Sequence, residues 1–255
     1  MEGRTYTNIE LARSEGIATL SLNRPHKLNA YTLAMGEEIV EAFRALRYEP
    51  DVRVVILTGA GRAFCAGVDL EHLRAQQAEG AQAKGPRLGE EDFIRKLPLE
   101  LMSYPKPVIA AINGAAIGVG ITMVLPCDLR LAAAGAKLGF TFAALGILPG
   151  LGSTYLLPRL VGPAIARDLV LSARVFLAEE AAEMGLVNKV TPDGMLMDEA
   201  RAVASAMAAH DPEVLAAAKR ALAFGADHGM AEAMQNEWEE SAALNELRAR
   251  RRDSR

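Results

Sequence analysis

At 255 residues, with 51% apolar and 24% charged side chains, the chain is long enough for one large domain or a domain with an appendage, and its composition is that of a globular protein. Its 28 basic and 32 acidic residues leave a formal net charge of −4, which excludes the basic footprint of a nucleic-acid binder. No apolar run is long enough to span a membrane. The two cysteines, Cys65 and Cys127, lie far apart without metal-ligand spacing and read as buried small residues in a reducing compartment. The N-terminus shows no basic stretch leading into an apolar run, so no signal peptide is expected and the expected location is cytoplasmic.

Residues 16–23, GIATLSLN, alternate as a strand does. Residues 31–49 place Met35, Ile39, Phe43 and Leu46 on one helical face. Residues 52–59, VRVVILTG, lack polar alternation, as expected of a strand covered on both faces. From 72 to 103 the rhythm breaks. AQQAEGAQAKGPRLGEED holds few large apolar residues and reads as a mobile helix-loop stretch over a site, or equally as a surface insertion. PVIAAI (107–112) is a further strand, followed by a helix over 118–126 and a strand over 127–133. This strand, helix, strand rhythm predicts an α/β fold with parallel strands and crossover helices. After GLVNKV (185–190) the strands stop, and 195–250 read as three helices split at 211–212 and 227–229. The expected division is a core over 1–194 and a helical subdomain over 195–255 that closes a site or joins subunits. The basic run RARRRDSR at the C-terminus reads as a solvated tail.

NGAAIGVGIT (113–122) has the layout of an anion site: strand, glycine-rich turn, helix. A dinucleotide phosphate fits poorly, because Gly114, Gly118 and Gly120 do not form G-x-G-x-x-G and no P-loop lysine follows. Taken alone, these glycines serve close strand–helix packing equally well. A second such turn lies in VRVVILTGAGRAFCAGVDL (52–70).

The two turns together resemble the crotonase, or enoyl-CoA hydratase/isomerase, family. LNRPHKLNAYT matches its N-terminal segment, and VVILTGAGRAFCAGVDL and KPVIAAINGAAIGVG match its two central motifs. LGILPGLGSTYLLPRLVG, ARDLVLSARVFLAEEAAEMGLVNKV and the helical end follow in the family's order. The resemblance implies a crotonase-like α/β fold, a repeated β-β-α spiral core with an α-helical C-terminal subdomain. It implies an acyl-CoA thioester substrate, no cofactor beyond the coenzyme A of that substrate, no metal, and a homotrimer or homohexamer. It also implies that the backbone N–H groups of Val68 and Val119 receive the thioester oxygen as it becomes an enolate. Ala66, Asp69, Leu70 and Glu71 would then lie along the bound coenzyme, with Lys27 near its phosphates.

Three departures from the family pattern bear on the reaction. Hydratases of the family use two glutamates, at positions held here by Thr122 and Phe142. Many of its isomerases place an aspartate where this chain has Gly150. Adding water to a double bond needs a base for the water and an acid for the α-carbon; threonine is no base near neutral pH, and phenylalanine can do neither job. His72, Glu71, Glu90, Glu91, Asp92, Glu100 and Tyr104 are the polar residues available as stand-ins. Ser153 follows a glycine turn, but no histidine is placed to suggest a triad. The expected function is an acyl-CoA enzyme of the hydratase/isomerase type. The alternative is a non-catalytic acyl-CoA-binding protein of the same fold.

Overall fold

The computed structural model describes residues 5–79 and 87–253. Strands β1 (Ile9–Ser14) and β2 (Ile17–Leu22) form an antiparallel hairpin, turned by Glu15 and Gly16 at φ 52° and 80°. From β2 the chain adds parallel strands outward: β3 (Val54–Gly59), then β5 (Val108–Ile112), β7 (Leu129–Ala133) and β10 (Lys189–Thr191), giving a six-stranded sheet in the order β1-β2-β3-β5-β7-β10. A second sheet holds β4 (Ala63–Cys65), β6 (Ala115–Ile117), β8 (Lys137–Gly139) and β9 (Val175–Leu177), the last pairing antiparallel. The repeat is now visible. β3, β5 and β7 each feed the large sheet, and the strand that follows each of them feeds the small one. Successive units are therefore neighbours in both sheets, and the three ends of β4, β6 and β8 lie side by side.

The apolar runs are continuous because both faces of the large sheet are covered. Val54 and Ile56 of β3, with Ile109 and Leu131, meet Leu196, Ala200 and Ala204 of α9 (Leu196–Ala208), whose small alanines let the helix approach closely. Val55 and Leu57 face the main core, with α1 (Leu33–Arg47). There Met35, Ile39, Phe43 and Leu46 are all buried, as their spacing predicts, and Thr32 caps the helix by accepting from the Met35 N–H at 3.3 Å. The remaining helices are α2 (Leu70–Glu79), α3 (Asp92–Arg95), α4 (Leu97–Met102), α5 (Val119–Thr122), α6 (Ser153–Val161), α7 (Pro163–Ser172), α8 (Ala178–Glu183), α10 (Pro212–Gly225) and α11 (Met230–Asp253).

Two expectations change. The helix read over 118–126 is the single turn α5 followed by irregular turns, since Pro126 bars a regular continuation. Most of α2, with α3 and α4, falls in the stretch from 72 to 103 read as helix and loop, and its part at 80–86 lies outside the described residues. The basic run is no tail up to residue 253. It is the end of α11, where Arg248 pairs with Asp211 at 3.2 Å and Arg251 pairs with Glu213. Cations at a helix C-terminus complement its dipole, and acids near the start of α10 supply the partners.

Candidate functional site

The site is assembled where β4 and β6 run out. The two strands pair in parallel, Cys65 opposite Ala116. β4 turns through Gly67 (φ 109°) into Val68, and β6 turns through Gly118 (φ 56°) into Val119. Both φ values belong to glycine territory. A Cβ on Gly67 would sit 3.4 Å from the Ile117 carbonyl, and one on Gly118 would sit 4.0 Å from the Gly67 Cα, so the two turns touch. A Cβ on Gly120 would collide with the Cys65 carbonyl. These glycines exist to bring two backbones together.

The hydrogen bonding leaves two donors over. Val68 sits in a one-residue parallel bridge with Tyr31. The Tyr31 N–H donates to Gly67 O at 2.8 Å, and the Asp69 N–H donates to Tyr31 O at 2.9 Å. Val68 thereby turns its own N–H away from Tyr31. Val119 is the first residue of α5, where no intrahelical acceptor is available. Among the described backbone hydrogen bonds neither the Val68 nor the Val119 N–H has an acceptor. The carbonyls just beyond α5 are held from the opposite side: the buried Arg130 guanidinium donates to Cys127 O at 2.6 Å and Leu125 O at 3.3 Å, and burial holds its pKa below the ordinary arginine value.

Phe142 enters from the third strand end. β8 pairs with β6, the Gly118 N–H donates to Gly139 O at 2.8 Å, and Phe142 follows with 8% exposure. Thr122 is fully buried, and its hydroxyl contacts Gly118 O and Val119 O, each at 3.3 Å. Thr141, a residue that sequence reasoning missed, has its Oγ1 3.8 Å from where a Gly118 Cβ would stand. Its only sequence signal is its place one residue before Phe142. Gly150 lies against α3, with a hypothetical Cβ 3.6 Å from Ile94 Cγ2.

The segment expected along a coenzyme is braced. Asp69 caps α2 by accepting from the Glu71 and His72 N–H groups at 3.1 and 3.3 Å, and it pairs with Arg24 at 2.9 Å. Burial works to raise the Asp69 pKa, but Arg24 and these two donors outweigh it and hold the carboxyl below its ordinary value. The Ala66 N–H donates to Leu28 O at 3.1 Å, Leu70 is exposed, and Lys27 pairs with Glu71 at 2.8 Å on the surface. The hydrogen bond and charge of Glu71 raise the Lys27 pKa. Asn29, also missed as an individual residue, is buried and staples the entrance of β4 by donating to Ala60 O and Ala63 O at 2.9 and 2.8 Å.

Most candidate stand-ins are occupied elsewhere. Asp92 and Glu100 both pair with Arg44, Tyr104 donates to Phe43 O at 2.8 Å, and Glu90 accepts from the Arg87 N–H at 3.2 Å. Glu91 is buried and accepts from Tyr31 Oη. Among the described residues, His72 Nε2 and Ser153 Oγ are buried without a hydrogen-bond partner. Ser153 thus has no hydrogen-bonded histidine, and no serine triad forms. Among the described residues no group of acids, cysteines and histidines is placed to hold a metal, and no helix is long and apolar enough to cross a membrane.

Comparison with known proteins gives the same assignment from a separate direction. The chain is 38% identical over 208 residues to the 1,2-epoxyphenylacetyl-CoA isomerase of Escherichia coli (strain K12), covering 82% of this chain and 79% of the relative. It is 42% identical over 200 residues to the crotonyl-CoA hydratase of Syntrophomonas wolfei, covering 78% and 75%. The solved structure of an enoyl-CoA hydratase from Bacillus anthracis superposes with a TM-score of 0.85 at 35% identity, covering 97% of each chain. With the enoyl-CoA hydratase/isomerase family model matching residues 12–248, and with the paired sheets and converging glycine turns described above, the chain belongs to the enoyl-CoA hydratase/isomerase family.

Proposed function

We propose that this chain is an acyl-CoA enzyme that stabilises a thioester enolate between the backbone N–H groups of Val68 and Val119. The observation that carries the reading is that these two N–H groups leave touching glycine turns without an internal acceptor. An enolate oxygen bears nearly a full charge that the ground-state carbonyl lacks. Donors fixed in advance act selectively on it, each contributing roughly 2.7–4 kcal/mol. α5 is a single turn, so the direction of the Val119 N–H matters more here than a helix dipole.

The substrate is a CoA thioester, with the segment from Ala66 to Glu71 alongside the coenzyme and Lys27 exchanging Glu71 for a phosphate. The reaction is proton transfer at the enolate. Phe142 makes the wall of the site apolar and Thr122 spends its hydroxyl on carbonyls, so hydration loses both of its usual proton carriers. His72 is the stand-in that the geometry favours, because its Nε2 is buried and unpartnered on the first turn after Asp69. An imidazole is well suited to take a proton from carbon and return it. A non-catalytic acyl-CoA carrier is not favoured by the named relatives. The free, buried Cys65 and Cys127 support a cytoplasmic place of action, and α10 with α11 supports assembly into a trimer or hexamer.

The test is at Val68. Val68→Pro removes the donor and abolishes turnover of crotonyl-CoA and 3-enoyl-CoA, while Val68→Ala keeps most of it. Equal behaviour of the two folded variants would show that the N–H is not used.

A further inference from the structure

Tyr31 holds Val68 by its backbone, but its side chain points to a different partner. The ring is fully buried and stacks on Phe93 at 4.6 Å. The phenol donates to Glu91 Oε1 at 2.7 Å, and Glu91 Oε2 accepts from the Gly89 N–H at 2.6 Å. Glu91 is 3% exposed. Burying a carboxylate is costly even when, as here, both oxygens are satisfied, and a phenylalanine facing a leucine would fill the same space without that cost. Packing alone therefore gives no reason for this pair. Its geometry does. Glu91 stands at the start of α3, whose Ile94 lies against Gly150. The Tyr31 hydroxyl has one place to go, because Gly36 leaves room for it only by lacking a Cβ.

We propose that Tyr31 and Glu91 are a positioning pair that sets the direction of the Val68 N–H and locks the Val68 turn to the α3 wall. The inference rests on the reading of Val68 as an enolate donor. Two backbone bonds from Tyr31 bracket Val68, so a rotation of Tyr31 rotates the Val68 peptide with it. Glu91 removes that freedom by holding the phenol at the far end of the ring. The phenol stays a donor throughout: burial first, and the neighbouring Glu91 charge second, hold its pKa far above the ordinary tyrosine value. A hydrogen bond aimed at a developing charge loses value quickly with misdirection, and misplacement of about 1 Å by a distant change can cost on the order of a hundredfold in rate.

The experiment uses the full chain with unreactive butyryl-CoA carrying carbon-13 at the thioester carbonyl. The bound carbonyl of the wild type should show a downfield carbon-13 shift from polarisation by the two N–H groups. Tyr31→Phe should bind the ligand comparably, show a smaller shift, and turn over crotonyl-CoA or 3-enoyl-CoA roughly ten- to a hundredfold more slowly with little change in KM. Glu91→Gln keeps an acceptor for the phenol but opposes the Gly89 N–H with a second donor, and it should move the same readouts in the same direction. It decides the question if Tyr31→Phe fails to fold. A wild-type shift left unchanged in the folded variants would overturn the positioning pair. No shift in the wild type, with the ligand bound, would overturn the enolate-donor reading itself and the pair with it.

Discussion

The resemblance that puts Thr122 and Phe142 where hydratases of the family carry glutamates is tested by putting carboxylates there. Thr122 is the last residue of α5 and Phe142 follows β8, close to the proposed enolate donors, and neither side chain is an acid or base near neutral pH. Thr122→Glu with Phe142→Glu should raise hydration of crotonyl-CoA, since a positioned acid or base contributes about 10²–10⁴-fold. Either single change should give less, because water activation and protonation of carbon belong to one event. Both positions are buried, so the new acids will ionise reluctantly, and folding and CoA binding are to be measured before rates. No gain in a folded, CoA-binding double variant would show that the proton carriers act from elsewhere, His72 first. Asp69 offers a separate test. Its folded pKa is depressed, so its contribution to stability is present above the unfolded value of about 3.9 and is lost as pH falls through the lower folded value. Asp69→Asn should therefore melt below the wild type at neutral pH, and the gap should close in acid below about pH 4; a gap independent of pH would show that the Arg24 pair does not act through charge. At this scale the sequence was legible where a motif fixes the backbone, as at Gly67 and Gly118, whose positive φ turns lead into Val68 and Val119. It offered Glu91 only as a stand-in acid and was silent on its pairing with Tyr31 across 60 positions, because no local spacing encodes a partner that distant.

Continuous apolar runs announced themselves and other strands did so unevenly: the six residues of β1 went unread, while the three-residue β10 overlaps GLVNKV, read as the last strand. β3, β5 and β7 carry five or six residues each, nearly all apolar, and that is enough for a continuous buried run to stand out. β4, β6, β8 and β9 carry three residues each, too few for any periodicity, yet three of them lead into the candidate site. Their presence is marked instead by the glycines that let them meet. Gly120→Ala drives a Cβ into the Cys65 carbonyl, a backbone atom that cannot swing aside. It should lower stability by about 1–3 kcal/mol or more and abolish turnover, by parting the two donor turns. Gly150→Ala is the control, because its Cβ meets Ile94 at an ordinary 3.6 Å and the residue needs no left-handed backbone. Thermal melting of the two should differ clearly; similar midpoints would show that β4 and β6 can separate without loss and that their close approach is not required by the fold.

The single chain leaves an apolar stripe unspent. Met230, Met234 and Trp238 lie four residues apart on α11, with exposures of 81%, 57% and 67%, and Leu222 of α10 is 76% exposed. Leu244, further along the same helix, is half-buried. Residues at this spacing form one side of a helix, and a contiguous exposed patch of large apolar groups on a stable protein usually marks an interface. A second copy of the chain is the occupant expected for a member of this family, and the stripe is the surface it would cover. Light scattering at micromolar concentration should give three or six times the 27.2 kDa of one chain. Trp238→Glu places a charge in the middle of the stripe, where burial would leave it unpaired. It should shift the protein to smaller species while the single-chain core, which does not include Trp238, keeps its far-ultraviolet circular dichroism. A wild type that scatters as a monomer would remove the interface. An oligomer unaffected by Trp238→Glu would keep the assembly and move its contact surface away from α11, leaving the exposed tryptophan to be explained by another partner.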